Sequence, residues 1–305
     1  MALSEVESAR AKEASLERAK YAPLDIDRLT SDDIAGGLAL STAAGWNQTA
    51  DDWNFFIEHG HSVGCRDPSG RLVATAAALP YGSDLGWISM VLVAAEARHR
   101  GHATALLGDC IETLRAAGRT AVLDATPAGF EVYRRVGFVA GFTFERWQGN
   151  GGTTDAADAS DEATNGVVEG AADDASTIAA LDTAASGIER SALMRAFVAR
   201  PSTRVWLTSK RTGFAVARAG ARATQIGPVV AATQSDAVAL LETALNAVRG
   251  RVLVDVPEHV GAVAGVLADR AFTRQRPFTR MAQGAGADVL AKHERVHALA
   301  GPEFG

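Results

Sequence analysis

Hydrophobic and polar residues follow two periodicities along the first half of the chain. A helical pattern follows Thr30, a residue suited to capping a helix, and a second helical pattern spans 49–60. Strand-like patterns then cover 61–65, 72–79 and 87–93, and the turn sequences DPSG and YGSD separate them. This order predicts two helices followed by an antiparallel meander.

The first half continues with a helix that is apolar on one face. Apolar residues recur there at helical spacing, at Ala103, Leu106, Leu107, Cys110, Ile111 and Leu114. A buried run (TAVLDA), a short helix (AGFEVYRRVG) and an aromatic-rich strand (FVAGFTFERW) follow in that order. Because the apolar face of the helix must be covered, the pattern predicts an α/β fold with a sheet of mixed strand direction.

The second half repeats this succession after a stretch of different composition. Residues 149–166 are rich in Gly, Ala, Asp and Thr and lack large apolar side chains, which is typical of a linker. Beyond it, VLVDVPEHVGAVAGVLADRAFTRQRPFTRM echoes VLDATPAGFEVYRRVGFVAGFTFERW. We therefore predict two copies of one domain. The predicted division is a loose leader (1–20), a first domain (21–148), the linker (149–166), a second domain (167–283) and a C-terminal tail (284–305).

Composition narrows the possible partners and compartment. The 305 residues are 47% hydrophobic, enough for two cores, and the net charge of −6 provides no broad basic face for nucleic acid. The first twenty residues build no apolar run, so we expect neither a signal peptide nor a membrane partner. Cys65 and Cys110 have no paired spacing, and the histidines have no metal-ligand spacing, which favours a cytoplasmic protein without a metal.

The segment SMVLVAAEARHRGHATALL carries the most informative chemistry. A buried strand runs into a basic, glycine-containing turn that opens a helix, and such a turn directs backbone N–H groups at one point. Gly101 and the small Ala103 let a ligand approach the main chain, Thr104 adds a hydroxyl, and Arg98 and Arg100 add positive charge. These features predict a site for a pyrophosphate. The alternatives are a solvated connection, or a dinucleotide fold, which the missing G-x-G-x-x-G glycines disfavour.

Two motifs in this half resemble those of a known family. Residues 98–103 (RHRGHA) resemble the Q/R-x-x-G-x-G/A cofactor signature of the GNAT superfamily of N-acetyltransferases, and 133–138 (YRRVGF) resemble its second motif. The resemblance covers 30–147. It implies an α/β fold of two tandem GNAT-like domains, each with a mixed, mostly antiparallel sheet flanked by helices. It also implies acetyl-CoA as co-substrate.

The resemblance assigns roles residue by residue. The backbone of Val91, Leu92 and Val93 would pair with the pantetheine arm, and an N–H at Leu92 or Val93 would polarise the thioester carbonyl. Tyr133 would protonate the leaving thiolate, with packing of its short helix as the alternative role. Further cofactor contacts would come from Arg98, His99, Arg100, Gly101, His102, Ala103, Thr104 and Thr126, the last standing where many members have Asn.

A general base and the acceptor are not identified by these motifs. Asp51, Asp52 and Asp124 are possible bases, although carboxylates beside a helix start are more often caps. In the second half, AATQSD stands where the basic turn would be and Leu267 where Tyr133 would be, which resembles a bacterial two-domain subfamily with a degenerate second copy. We therefore expect transfer of an acetyl group to a small-molecule or protein primary amine by the first domain. The alternative is a non-catalytic acyl-CoA sensor or interaction protein.

Overall fold

The computed structural model describes residues 24–152, 166–284 and 293–305. The predicted leader and residues 153–165 of the predicted linker lie outside the described residues. The mixed, mostly antiparallel α/β architecture expected from the sequence is confirmed.

The first half follows the predicted order of elements. A capping box begins the second helix, where the Thr49 hydroxyl accepts from the Asp52 N–H (3.4 Å) and the Asp52 carboxylate accepts from the Thr49 N–H (2.8 Å). The strands are β1 (Asp27–Arg28), β2 (His61–Arg66), β3 (Leu72–Tyr81), β4 (Leu85–Val93), β5 (Thr120–Ala125) and β6 (Phe138–Gly151). The helices are α1 (Ile34–Ala43), α2 (Ala50–His59), α3 (His102–Ala116) and α4 (Pro127–Arg135).

The second half has the same succession and one additional strand. Its strands are β7 (Val167–Glu169), β8 (Arg204–Thr208), β9 (Phe214–Ala219), β10 (Thr224–Val230), β11 (Gly250–Pro257) and β12 (Thr273–Gln283), followed by β13 (Val296–Ala298). Its helices are α5 (Ala175–Ser186), α6 (Ser191–Ala199), α7 (Gln234–Ala247) and α8 (Gly261–Asp269). The segment that we predicted as a tail thus provides β13.

The two halves share one continuous sheet because they exchange their last long strands. The order is β1-β2-β3-β4-β5-β12-β6-β11-β10-β9-β8-β7, so β12 of the second half lies between β5 and β6 of the first. In the same way, β6 pairs with β11 from Phe144 to Gly151 and so extends past the predicted boundary at 148. The sheet of each half is therefore completed by the other half.

Two buried ion pairs join the exchanged strands. Arg280 on β12 donates to both oxygens of Asp124 on β5, at 3.0 and 3.0 Å. Reciprocally, Arg146 on β6 donates to both oxygens of Asp255 on β11, at 2.8 and 2.7 Å. These residues occupy corresponding positions in the repeat that the sequence suggested, FERW with FTRM and VLD with VLVD. Fixed bidentate geometry of this kind specifies the strand register.

The parallel pair β4 and β5 opens a gap in the sheet. The two strands pair only where Leu85–Trp87 lies beside Thr120–Val122, and beyond Trp87 they separate. A β-bulge bends β4 at this point, since Ala77 opposes Ser89 and Thr75 opposes Leu92, leaving Met90 and Val91 opposite one residue. Met90 has a left-handed φ of 53°, and the Thr75 hydroxyl donates to its carbonyl at 2.8 Å.

Helix α3 brings its first turn to this gap. Leu106, Leu107, Cys110 and Leu114 bury the apolar stripe predicted from the sequence against the sheet. The packing fixes the direction of the helix axis. As a result, the N-terminus of α3 lies at the open end of β4.

Candidate active site

A cavity of about 280 Å³ occupies the gap between β4 and β5. A second concavity around the turn before α3 shares Trp46, Val91 and Ala103 with it, so the two form one groove. The groove leads from the α3 N-terminus past the open edge of β4 to Tyr133. It therefore brings together the two motifs that the sequence singled out.

The turn before α3 exposes several backbone N–H groups. His99 and Gly101 have left-handed φ values of 61° and 86°, and no side chain caps the helix at Gly101. The first hydrogen bond within the helix runs from the Ala105 N–H to the Gly101 carbonyl (3.0 Å). The backbone N–H groups that precede Ala105 therefore have no acceptor within the helix. These donors and the positive end of the 15-residue helix suit an anion.

The side chains of the turn add charge and one buried nitrogen. Arg98 and Arg100 are exposed and form no ion pair with any described residue. His102 is buried, and its Nδ1 has no hydrogen-bond partner within the described part of the chain. Burial lowers the pKa of His102, and the charge of Arg100 lowers it further, which keeps the ring neutral. Most of the predicted residues in this turn line the groove, namely Arg98, His99, Gly101, His102, Ala103 and Thr104. Arg100 does not line it.

The open edge of β4 presents alternate backbone groups to the groove. The Ala94 N–H donates to the Val73 carbonyl on β3 at 2.8 Å. Because successive residues of a strand direct their N–H groups to opposite edges, the Leu92 N–H belongs to the ladder with β3. The same alternation directs the N–H groups of Val91 and Val93 to the open edge.

Tyr133 lies across the groove from this edge, on α4. Its side chain is half-buried against Phe138, with ring centroids 6.1 Å apart, and burial raises the pKa of the phenol. The hydroxyl makes no hydrogen bond to any described residue. Thr126 caps α4, since its Oγ1 accepts from the Gly129 N–H at 3.3 Å, and it also lines the cavity. The predicted proton donor and the predicted arm contact therefore share one wall.

The three carboxylates considered as possible bases have other surroundings. Asp51 is exposed at the start of α2, and Asp52 caps that helix and pairs with Arg200 at 2.7 Å. Asp124 does line the cavity, but both of its oxygens accept from Arg280. Burial raises the pKa of Asp124, and the charge of Arg280 opposes that shift.

The far wall of the cavity comes from segments that the sequence motifs did not indicate. The exchanged strands supply Arg146, Arg276 and Phe278, and the chain after β13 returns to supply Pro302 and Glu303. This returning segment is fixed by hydrogen bonds from the Trp87 Nε1 to the Pro302 carbonyl (3.1 Å) and from the Tyr81 hydroxyl to the Phe304 carbonyl (3.0 Å). The apolar run VHALA was the one sequence signal that this segment is buried.

The equivalent gap in the second half is filled by the chain itself. β10 and β11 pair in parallel over three residues, and β13 then pairs with β10 at Val229 and Val230. The Leu299 N–H also donates to the Asp255 carbonyl on β11 at 2.8 Å. At the start of α7, the Thr233 hydroxyl accepts from the Asp236 N–H (3.1 Å), and Asp236 adds negative charge to the first turn. This end suits an anion poorly.

Within residues 24–152, 166–284 and 293–305, no helix is both long and apolar enough to cross a bilayer. The same ranges contain no cluster of three or more His, Cys, Asp or Glu side chains arranged to hold a metal ion.

Comparison with known proteins supplies a family for both halves. Residues 25–141 and residues 178–297 each match a family model described as an acetyltransferase (GNAT) domain. A search of curated protein sequences found no match.

Solved structures share the architecture. A proposed acetyltransferase from Pyrococcus horikoshii is 19% identical, with 93% of this chain and 97% of that chain covered and a TM-score of 0.78. A tandem GNAT protein from the clavulanic acid biosynthesis pathway is 17% identical (85% and 98% covered, TM-score 0.58). A GCN5-related N-acetyltransferase from Sphaerobacter thermophilus is 14% identical (85% and 95% covered, TM-score 0.57). At these identities the likeness concerns the fold.

Proposed function

The chain belongs to the GNAT acetyltransferases and is an acyltransferase with two such domains, and from this premise we propose that its first half transfers an acetyl group from acetyl-CoA to a primary amine. Acyl-CoA is the co-substrate of the family. The resemblance inferred from the two motifs is thereby confirmed. The acetyl group, the amine acceptor and the catalytic half are our proposals.

The single observation that carries the proposal is the contrast between the two gaps in the sheet. The gap between β4 and β5 is open and ends at an uncapped helix N-terminus. Its counterpart between β10 and β11 is filled by β13 and ends at a capped, acidic helix N-terminus. A thioester with a pyrophosphate group therefore fits the first half and not the second.

The residues of the groove suit such a co-substrate along its length. The N–H groups of His102, Ala103 and Thr104, with Arg98, would hold the pyrophosphate. The open edge of β4 would pair with the pantetheine amides as an added strand. We assign that edge to Val91 and Val93 rather than to Leu92, whose N–H bonds to β3.

Direct attack by the amine requires two kinds of assistance from this chain. Negative charge develops on the thioester oxygen, and a fixed N–H donor such as that of Val91 or Val93 stabilises it by roughly 3 kcal/mol. The departing sulfur needs a proton, which the neutral hydroxyl of Tyr133, a residue of the cavity lining, would supply. No covalent intermediate on the protein is required.

We also propose a cytoplasmic location, as expected from the sequence. The two thiols, Cys65 and Cys110, are both free and buried. Burial raises the pKa of each thiol, to about 12 for Cys110, so neither is activated for exchange. These features agree with a reducing compartment.

The experiment compares two glycines that have the same backbone conformation. Gly101 and Gly70 have φ values of 86° and 84°, and at both positions a Cβ would meet open space. Gly101→Ala should raise the KM for acetyl-CoA by about tenfold or more, because the left-handed conformation costs an alanine roughly 1–2 kcal/mol and the turn would relax. Gly70→Ala carries similar strain in a turn that does not line the groove, and it should keep the KM.

Calorimetry with coenzyme A provides the second measurement. We expect one bound molecule per chain, lost or weakened in Gly101→Ala alone. Two molecules per chain, or unchanged binding in Gly101→Ala, would contradict the assignment to the first half. Tight binding without acetyl transfer to any amine would instead favour a sensor.

A further inference from the structure

Two charged side chains face the cavity without forming an ion pair with any residue in the described part of the chain. They are Arg276 on β12 and Glu303 in the segment that returns after β13. The other two charged residues of the lining, Asp124 and Arg146, are neutralised by Arg280 and Asp255. The cavity therefore presents one charge of each sign that forms no ion pair, and the two charges attract each other across it.

Arg276 is held in a position that leaves its hydrogen-bonding capacity unused. It lies opposite Arg146 in the pairing of β12 with β6, and its guanidinium lies 4.9 Å from the centre of the Phe278 ring. Its Nε is buried and has no hydrogen-bond acceptor among the described residues. Burial and the charge of Arg146 lower the pKa of Arg276. A bound anionic group would relieve both unfavourable effects.

Glu303 is the matching anion. Its two carboxylate oxygens lie 2.9 Å from where a Cβ on Gly301 would be, so the side chain folds back over a residue that has none. Burial raises the pKa of Glu303, and the charges of Arg218 and Arg146 oppose that shift. A carboxylate with a raised pKa accepts a proton closer to neutral pH than an exposed one does.

We propose that the acceptor is a small amine that also carries a carboxylate, such as an amino acid, with Arg276 binding its carboxylate and Glu303 taking a proton from its ammonium group. This inference rests on the proposed function. An acceptor with two positive groups would place the second one near Arg276, where like charges repel. An amine without a carboxylate would leave Arg276 unpaired.

The protons balance with these groups. Glu303 removes one proton from the ammonium, and the neutral nitrogen attacks the thioester carbon. The C–N bond forms and the C–S bond breaks, and Tyr133 gives its proton to the sulfur. The nitrogen then loses its second surplus proton to the Tyr133 phenolate, and Glu303 releases its proton to water. The net reaction releases one proton.

The experiment uses the full-length protein, acetyl-CoA and matched acceptor pairs, with thiol release as the measurement. Each pair consists of an amino acid and the amine that lacks its carboxylate, for example β-alanine and ethylamine, together with the common amino acids and their decarboxylated amines. The best amino acid should exceed its partner amine in kcat/KM by roughly 10- to 100-fold, as expected for a buried charge-assisted pair. Arg276→Gln should remove this preference, mainly through KM.

Two other variants separate the roles. Arg274→Gln changes an exposed arginine of the same strand, which lies over Trp147, and should keep the preference. If Glu303 accepts the proton, its protonation should make the activity of the unchanged protein fall at acidic pH. Glu303→Gln should lower kcat about 100-fold and abolish this fall, whereas Glu303→Asp should restore part of the rate. Coenzyme A binding, measured by calorimetry, should be unchanged in all of them.

The outcomes distinguish this inference from the proposed function. Equal use of both members of every pair, or an equal loss for both in Arg276→Gln, overturns it. If coenzyme A binds but no acceptor reacts, the transferase proposal fails, and titration of the coenzyme A-saturated protein with the same pairs decides the inference. Binding that requires the carboxylate and disappears in Arg276→Gln supports it, and the absence of such binding overturns it.

Discussion

The ring of Tyr133 lies directly over the backbone of Gly129, one helical turn earlier. A Cβ at residue 129 would lie 2.7 Å from the Tyr133 Cε2, closer than real carbon atoms approach. Thr126 caps the same helix through the Gly129 N–H. Gly129 therefore fixes both the start of α4 and the position of the tyrosine in the cavity.

We predict that Gly129→Ala reduces catalysis more than stability. The added methyl group must push the Tyr133 ring away, which moves the hydroxyl from the position that we propose for the thioester. A displacement of about 1 Å is enough to lower kcat by roughly 100-fold. Steady-state kinetics should show this fall with the KM for acetyl-CoA little changed.

Gly265→Ala is the matched control for that variant. Gly265 is also helical, in α8, and a Cβ there would meet open space. The control should gain helix stability by up to about 1 kcal/mol and keep full activity. Equal kcat values for the two variants would show that the tyrosine position does not matter.

The pH dependence of kcat should report the state of Tyr133. Burial raises the pKa of this phenol above its ordinary value near 10, and an acid catalyst works only while protonated. A raised pKa extends the protonated range upward, so kcat should show no alkaline fall below about pH 10. Tyr133→Phe should lower kcat by about 100-fold with normal coenzyme A binding. An alkaline fall near pH 8 that disappears in Tyr133→Phe would contradict the shift.

Local sequence features predicted the elements of each half and part of the lining of the candidate site. The turn at Gly101, the apolar stripe through Leu106 and Leu114, and the motif at Tyr133 each depend on neighbouring residues. Their chemistry is therefore visible at short range. The same is true of the segment AATQSD, which contains Thr233 and Asp236. It lacks the glycine and arginine of the corresponding turn in the first half, and this difference indicated that the second half is unsuited to an anion.

Long-range pairing could not be predicted in this way. FERW and FTRM have the same pattern, so sequence alone does not decide whether Arg280 or Arg146 lies beside Asp124. The structure selects Arg280, through the exchange of β6 and β12. The exchange brings Arg276 to the cavity, and the segment after β13 brings Glu303. Both residues lie far away in sequence from the two motifs that line the rest of the cavity. The β-bulge at Met90 likewise decides which N–H groups face the groove.

Removal of Arg280 should test how strongly the exchanged strands depend on their buried ion pairs. Arg280→Met leaves the Asp124 carboxylate buried without its two donors, which should cost about 3–5 kcal/mol in the free energy of unfolding. Arg134→Met is the control, since Arg134 pairs with Glu131 at the surface, where both side chains are more than half exposed and such a pair contributes less than about 1 kcal/mol. Arg280 provides the main opposition to the effect of burial on the pKa of Asp124, so its removal raises that pKa further, and the folded variant binds a proton more readily than the unfolded chain. The penalty should therefore be largest at neutral pH and should shrink as the pH falls toward about 4, where the unfolded chain is protonated too. Urea unfolding of each protein at pH 7 and near pH 4 measures this difference. A penalty that is independent of pH, or no larger than that of the control, would mean that the Asp124 carboxylate does not depend on Arg280.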